Sequence, residues 1–498
     1  MKFPSQQTVN KTRAGERGQA VILVLVALSL VLIAALGLAI DGSQLYSHRH
    51  MLQAAADSAA QAGIMSAFNK TNTGANAYGD ASFTCTATDE RTPCVYARSN
   101  GVAAPDSIQV EFPTTAPGVA LSTFDTPNLI RVTVTRTVST SLIRMVSAPT
   151  AIVRASATAA IVDVVSPIPI LVLHPTMSGA FNKNGSNVVK ICGGPQRSIQ
   201  VNSSSTTSVT ISGVSGTVDL SNAGPLATPG GCDGTGGDMG DFGGPASFPG
   251  TILLGSAGQY IQPSSPIRDP LIDINPPSIP GTPGSIVDVA QGNNGCPAAL
   301  GKKCKLYSPG LFAAGITVKN NFALFKPGIY YISSGGFHVQ ANGVVQMATG
   351  FGADATTGAG LLIYNTGNDA NSIFEITSNA GQISGVQYGN SLTGTPDASI
   401  YKGILFFQDR SSAAHAHSLQ GGGGLTLRGT LYITNTEAIM TAAPAQYQSL
   451  NLQGNAGSTT QIIGEIIVGA LSLGGTSDIM MTLNSNYTLH IRQVALVL

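Results

Sequence analysis

From Ala20 to Ile40 the chain carries about 21 consecutive uncharged, mostly branched or small apolar residues. At roughly 1.5 Å of rise per helical residue this run matches the ~30 Å hydrocarbon core that a single helix must cross. Ala20, Leu25, Leu30, Ala35 and Ile40 mark the span, and no proline interrupts it. Lys2, Lys11, Arg13 and Arg17 precede it against a single acid, Glu16, whereas Asp41 follows it and the next base is Arg49. Basic flanks stay in the cytoplasm. Residues 1–19 therefore read as a basic cytoplasmic tail, 20–40 as a transmembrane helix, and everything after it as translocated out of the cytoplasm. The competing reading is a cleaved signal peptide, whose apolar region spans roughly 7 to 15 residues and ends in an Ala-x-Ala-like site. Asp41-Gly42-Ser43-Gln44 offers no such site, so a retained anchor is expected.

Beyond the anchor, composition narrows the choices. Charged residues are 10% of the chain and net charge is zero, so no basic patch points to nucleic acid. Disorder needs low hydrophobicity, and here 43% of residues are hydrophobic. Abundant Gly, with Ser, Thr and Asn between short β-branched runs, is the composition of an extended, mainly β protein with many turns. Six cysteines suit disulfides in an oxidising compartment. Cys85 with Cys94 and Cys296 with Cys304 are close enough to close small loops, leaving Cys192 with Cys232, although six cysteines allow 15 connectivities. No Cys-x-x-Cys knuckle is present for zinc, and no cofactor is expected.

The helical pattern outlives the membrane run. Leu45, Leu52 and Ala59 recur every seven residues, with Ala55, Ala56, Ala60, Ala62 and Gly63 beside them, so one Ala-rich helix is predicted over 41–68. Its small-residue stripe packs either on the chain's own globular part or on another helix. Residues 69–165 read as a small α+β segment. Ile130, Val132 and Val134 alternate with Arg131, Thr133 and Thr135 as in a half-buried strand, Ser139 to Val146 is a candidate short helix, and Ala151 to Val165 is a returning strand.

Arg17-Gly18-Gln19-Ala20, the apolar run, Ala39-Ile40-Asp41, Leu45-Tyr46 and Leu52-Gln53-Ala54-Ala55-Ala56-Asp57-Ser58-Ala59-Ala60-Gln61-Ala62-Gly63 together resemble the N-terminal region of the TadE/TadG-like proteins of tight-adherence (Flp) pilus assembly. The strand Val132 to Arg136, the segment with Arg144, and Val153-Arg154-Ala155-Ser156-Ala157 are similar to that family's extracytoplasmic part. The resemblance implies a single-pass protein of a bacterial inner membrane, its C-terminal domain periplasmic or at the cell surface, that works with the lipid bilayer and other pilus-assembly or surface proteins, and it implies no reaction. Prepilin-type processing at Gly18 would place Glu at the fifth position after the cut, where this chain has Leu23. The von Willebrand A metal motif Asp-x-Ser-x-Ser of many TadG-like members is completed neither at Asp41-Gly42-Ser43-Gln44-Leu45 nor at Asp409-Arg410-Ser411-Ser412-Ala413, so metal-dependent adhesion is not implied.

After Pro167-Ile168-Pro169 the chain becomes a series of short β-type runs, among them Ile168 to Leu173, Val188 to Ile191, Gly328 to Ile332, Gly360 to Tyr364, Ile404 to Gln408 and Gln461 to Val468, with Gly-Gly or Asn-Gly turns between many of them. A β-sandwich and a solenoid both fit such runs, and a recurrence of roughly 20 residues favours a right-handed parallel β-helix. The expected divisions are 166–223 for the start of the β domain, 224–304 for a Pro/Gly-rich excursion or lid, and 305–498 for the solenoid.

Chemistry-bearing motifs are few. Asp233-Gly234-Thr235-Gly236-Gly237-Asp238-Met239-Gly240-Asp241 is a candidate calcium loop or else a solvated loop. His415-Ala416-His417 sets two imidazoles near one another, and Phe406-Phe407-Gln408-Asp409-Arg410 ends a strand in an Asp–Arg pair. A carbohydrate-active β-helix enzyme needs clustered carboxylates, and none is apparent. The expected function is a non-catalytic component of pilus assembly or surface adherence. The alternatives are a secreted structural or adhesive β-helix protein and a polysaccharide-active enzyme.

Overall fold

In the computed structural model the described residues are 16–69, 71–119, 121, 126–141, 144, 149–165, 168–212, 216–226, 231–244, 251–272, 274–377, 379–383, 386–395, 401, 403–442, 447–455, 460–483 and 490–497. They form two compact units, 1–164 with 492–498, and 165–491.

The first unit is built on α1, Glu16–Phe68, one unbroken helix of 53 residues. Leu52, Ala55, Ala56, Ala59, Ala60 and Ile64 fall at helical three- and four-residue spacing and are all fully buried. They pack on Ile108 and Val110 of β2 (Ser107–Glu111), Ile130, Val132 and Val134 of β3 (Leu129–Ser139), and Ala155, Ala157 and Ala159 of β4 (Thr150–Val165). The Ala stripe is thus spent within the chain's own unit. Alanine on both sides lets helix and sheet approach closely, and a Cβ on Gly63 would stand 2.8 Å from Ile130 Cδ1 and 2.8 Å from Pro93 Cγ. β3 and β4 form an antiparallel hairpin with Val132 opposite Ala157 and Ser139 opposite Thr150. Of the candidate helix from Ser139 to Val146, Ser139 belongs to β3, and 142, 143, 145 and 146 lie outside the described residues. β1 (Phe83–Thr84) extends one edge. At the other edge, beside β4, lies the C-terminal strand His490–Val497. This strand was expected in the solenoid; its place beside β4 makes the whole second unit an insertion between two neighbouring strands of one sheet.

The second unit is a parallel β-helix-like solenoid with three faces of 10, 8 and 11 strands. A coil visits the faces in turn, as in Gly328–Ile332, Phe337–Gln340 and Val344–Met347. Inward side chains stack into one core, including Ile363, Phe374, Phe406, Leu431, Leu452 and Ile466, with the Phe374 and Phe406 rings stacked at 4.7 Å. Each coil exposes apolar surface that only the next coil covers.

The coils do not stack in chain order. Ile170–Val172, the first strand of the unit, pairs on one side with Arg197–Val201 and on the other with Ile466–Val468, close to the end of the unit. The N-terminal coils wind outward from this middle position to Tyr260–Ile261, while the C-terminal coils begin at the opposite end, near Gly310–Phe312, and wind back toward it. Residues between must run the length of the 10-stranded face, about 43 Å for nine inter-strand gaps. A proline-rich strap does this, and about 20 extended residues suffice at ~3.1 Å each. It leaves at Ser264, whose N–H donates to Asp241 O, and ends at Gly284, whose N–H donates to Leu311 O. The prolines from Pro263 to Pro283 fit it because extended backbone needs no N–H ladder. The excursion expected over 224–304 is correspondingly narrower: Asp238–Asp241, Thr251–Leu253 and Tyr260–Ile261 are coil strands, occupying the stretches between the earlier prolines.

Candidate functional site

The exit of the apolar run is the most defined site in the first unit. Leu23 and Leu38 are 70% and 67% exposed, as are most large apolar side chains from Val21 to Ile40, so this part of α1 has no protein partner among the described residues. The pattern inverts at Asp41, which is 1% exposed and whose Oδ1 accepts the backbone N–H of Ser141 at 2.8 Å. Two turns later Arg136 Nη1 lies 3.4 Å from His48 Nδ1, and Gln53 Nε2 donates to Ser156 O at 3.1 Å. β3 therefore runs antiparallel to α1, with the end from which the chain turns into β4 toward the apolar run. Arg136 is itself fixed by a two-pronged pair to Asp106, with Nη2 to Oδ2 at 2.7 Å. Sequence periodicity located the anchor but gave no sign that Asp41 fastens a hairpin 100 residues away.

The cysteines pair as Cys85–Cys94, Cys192–Cys232 and Cys296–Cys304. Cys85 and Cys94 also stand near Asp89; disulfide sulfurs are spent as ligands, so that cluster is no metal site.

In the second unit the singled-out motifs have structural partners. The Asp-rich segment does not converge: Asp233 is exposed, Asp238 accepts from Gln196 Nε2 and the Gln259 N–H, and buried Asp241 accepts from Ser208 Oγ at 2.7 Å and Tyr260 Oη at 2.8 Å. Asp238 and Asp241 thus take separate structural partners, and Asp233 stands apart on the surface.

The His415 and Phe406 motifs meet at one corner of the coils. His417 Nδ1 accepts the Phe374 N–H at 2.9 Å, and its Nε2 lies 2.9 Å from Gln448 Oε1, which makes it the neutral Nε2–H tautomer. Burial brings its pKa down to about 4, against the opposing effect of the hydrogen bond that Nε2–H donates to Gln448. Gln448 continues to Ser412, Ser412 to Gln408 and Gln408 to Asn365, a chain of neutral donors and acceptors. This corner holds backbone together and offers no proton acceptor poised for catalysis.

Asp409 and Arg410 do not pair as expected. Asp409 accepts from Tyr364 Oη at 2.9 Å, while Arg410 reaches over the face and donates to Leu271 O at 2.7 Å and Ile274 O at 2.6 Å. Those carbonyls belong to the strap. Beside them Tyr432 Oη donates to Asp269, whose carboxyl burial pushes up against that hydrogen bond. Leu271, Ile267 and Ile274 cover an outward ladder of Tyr331, Tyr364, Phe407 and Tyr432, with successive rings 5.1 to 5.3 Å apart. A cavity of about 460 Å³ remains at the strap, lined by Leu173, Phe242, Ile267, Ile272, Met440 and Asn435 among others.

Of the three outer faces, the strap covers the 10-stranded one. Val289, Leu300 and Ile383 cover Phe322, Leu324 and Val344 at one end of the 11-stranded face. The 8-stranded face presents a cross-coil row in register, Thr317, His338, Glu375, Ser418, Asn451, Ser472, Asn182 and Thr210. Within it His338 Nδ1 lies 2.9 Å from Glu375 Oε2 and Nε2 2.9 Å from Asn371 O. Both ring nitrogens are engaged, leaving neither for proton shuttling. Burial raises the Glu375 pKa, but hydrogen bonds from His338 and Gln340 outweigh it and hold the carboxyl below its usual range.

Residues 18–76 match the family profile described as "Putative Flp pilus-assembly TadE/G-like". This covers the apolar run, the Ala stripe and the start of the first unit. No curated protein and no solved structure matches the chain.

Proposed function

We propose that this protein, whose N-terminal region is TadE/G-like, is a single-pass membrane-anchored, extracytoplasmic structural component of a Tad/Flp-type pilus or surface-adherence system. The carrying observation is the family match over residues 18–76 together with the division of α1 into an exposed apolar stretch and a buried Ala stripe. The helix tethers the chain, and the first unit seats that helix. Basic residues before the run and Asp41 after it favour a cytoplasmic N-terminus. A non-catalytic role is supported by Asp238, Asp241, Glu375, Asp409, His338 and His417, each committed to structural hydrogen bonds.

The secreted alternative requires cleavage near Asp41. α1 continues through that point without a break and Asp41 is buried against Ser141, which disfavours it. Fractionation with protease accessibility in spheroplasts tests the proposal. Full-length protein should partition with membranes and lose its solenoid to added protease, and a variant lacking 20–40 should be soluble. Full-length wild-type protein in the soluble cytoplasm refutes the anchor, and a mature N-terminus near Asp41 selects the secreted reading.

A further inference from the structure

The cavity of about 460 Å³ at the strap is lined by described residues of the second unit alone, and its size is that of a small-molecule site, roughly 300–1,000 Å³. The strap is fixed before and after the stretch that walls it. The Asn202 carboxamide takes Ile267 in a two-pronged bond, Nδ2 donating to its carbonyl at 2.7 Å and Oδ1 accepting its N–H at 3.0 Å. Beyond it Arg410 holds Leu271 and Ile274. The cavity is therefore formed before anything enters it, which keeps the ordering cost of binding low. Leu173, Ile267 and Met440 give it apolar surface, and two large apolar side chains stand open on its wall, Ile272 at 39% and Phe242 at 37% exposure. Phe242 is the most exposed aromatic ring of the second unit among the described residues. It is turned outward because its neighbour Asp241 turns inward to Ser208 and Tyr260, while its own N–H is fixed on Val201 O at 3.0 Å.

The polar groups of the wall set the chemistry of an occupant. Asn435 is 1% exposed and its Nδ2 donates to Arg410 O and Ser412 O, which leaves Oδ1 buried without a hydrogen-bond partner among the described residues. A buried acceptor left unmade is destabilising, so a hydroxyl donor brought to it is favoured. The charges balance: Arg268 and Arg410 stand against Glu437 and Asp269. Asp269 accepts at both oxygens, from Tyr432 Oη and from the Leu271 N–H, as a carboxylate does. An anion would meet the two carboxylates and a cation the two guanidiniums, whereas a neutral molecule meets neither repulsion. We propose that this cavity binds the terminal unit of a neutral saccharide, with the C–H face of the sugar on Phe242, one hydroxyl donating to Asn435 Oδ1 and another to Glu437. A pyranose carries both halves of that pattern, an apolar face and an edge of hydroxyl donors. The site lies wholly in the second unit and does not depend on reading 20–40 as the anchor.

The chain has no tryptophan, so full-length Phe242→Trp sets a single fluorescent ring at the site and keeps its stacking surface. In phospholipid nanodiscs, free of sugar-headed detergent, it is titrated with α- and β-linked disaccharides of glucose, galactose, mannose and N-acetylglucosamine. Chitobiose and cellobiouronic acid serve as cationic and anionic counterparts. At least one neutral disaccharide should change the emission saturably and bind the wild-type chain in calorimetry. Phe242→Ala should abolish that binding with the thermal midpoint unchanged, and Glu437→Ala, at an exposed position, should weaken it on the order of tenfold. Met480→Ala, which alters an exposed side chain of the 11-stranded face, should leave it as it was. The proposal is overturned if no neutral disaccharide gives a saturable change, or if chitobiose or cellobiouronic acid binds more tightly than its neutral counterpart. Binding that survives both Phe242→Ala and Glu437→Ala would overturn it as well, since the saccharide would then sit elsewhere.

Discussion

Replacing Arg410 with Met should free the strap without unfolding the coils. The guanidinium donates to Leu271 O at 2.7 Å and Ile274 O at 2.6 Å. Hydrogen bonds to charged groups contribute roughly 1.5–3 kcal/mol each, and Arg410 is half-buried, so the lower end of the range applies to each, about 3 kcal/mol together. Methionine keeps much of the stem's apolar contact and loses both bonds. Because the strap adds nothing to the stacking of one coil on the next, the loss falls on local opening. The assay exploits sequence: Arg268, exposed in the strap, is the only Lys or Arg between Arg197 and Lys302. Where cleavage follows the population of the open form, a 3 kcal/mol loss raises the tryptic rate at Arg268 on the order of 100-fold. No disulfide spans residue 268, so the products separate on a denaturing gel. Arg410→Lys, a point charge without the planar fork, should fall between the two. Equal cleavage of wild type and Arg410→Met at Arg268, with unchanged thermal stability, would refute the clamp.

Two further outcomes are expected. His417 is neutral when folded with a pKa near 4 against 6.5 in an open chain; the unfolded state therefore binds the extra proton between these values, and the solenoid should lose up to about 3 kcal/mol as pH falls from 6.5 to 4. Urea titrations across that range should show a shallower loss for His417→Gln, and parallel curves would contradict the assignment. Cys192–Cys232 closes a loop of sequence separation 40, for which chain entropy gives about 4 kcal/mol. Cys192→Ala with Cys232→Ala should lower the denaturation midpoint accordingly, and an unchanged midpoint would mean that the coils alone order that segment.

Local periodicity made much of this protein legible. An apolar run of membrane length, helical spacing of alanines from Ala55 to Ala60, alternation around Val132 and a β recurrence near 20 residues each follow from which side chains a segment must hide, a property that neighbours in sequence decide. The Asp233 to Asp241 segment and the Asp409–Arg410 neighbours misled for the complementary reason: proximity in sequence does not say which way side chains point once strands are stacked. Tertiary structure alone decided the rest. Nothing in Ile170–Val172 announces that it pairs with Ile466–Val468, because any two apolar coils of similar width can stack and only the length of the strap and the return of the chain select this order. The same holds for His490–Val497, whose place beside β4 depends on the solenoid delivering the chain's end close to its entry. It holds again for Asp41, an ordinary charge after an apolar run until a hairpin brings the Ser141 N–H to it. Short-range pattern determined what each segment is; long-range closure determined what it touches.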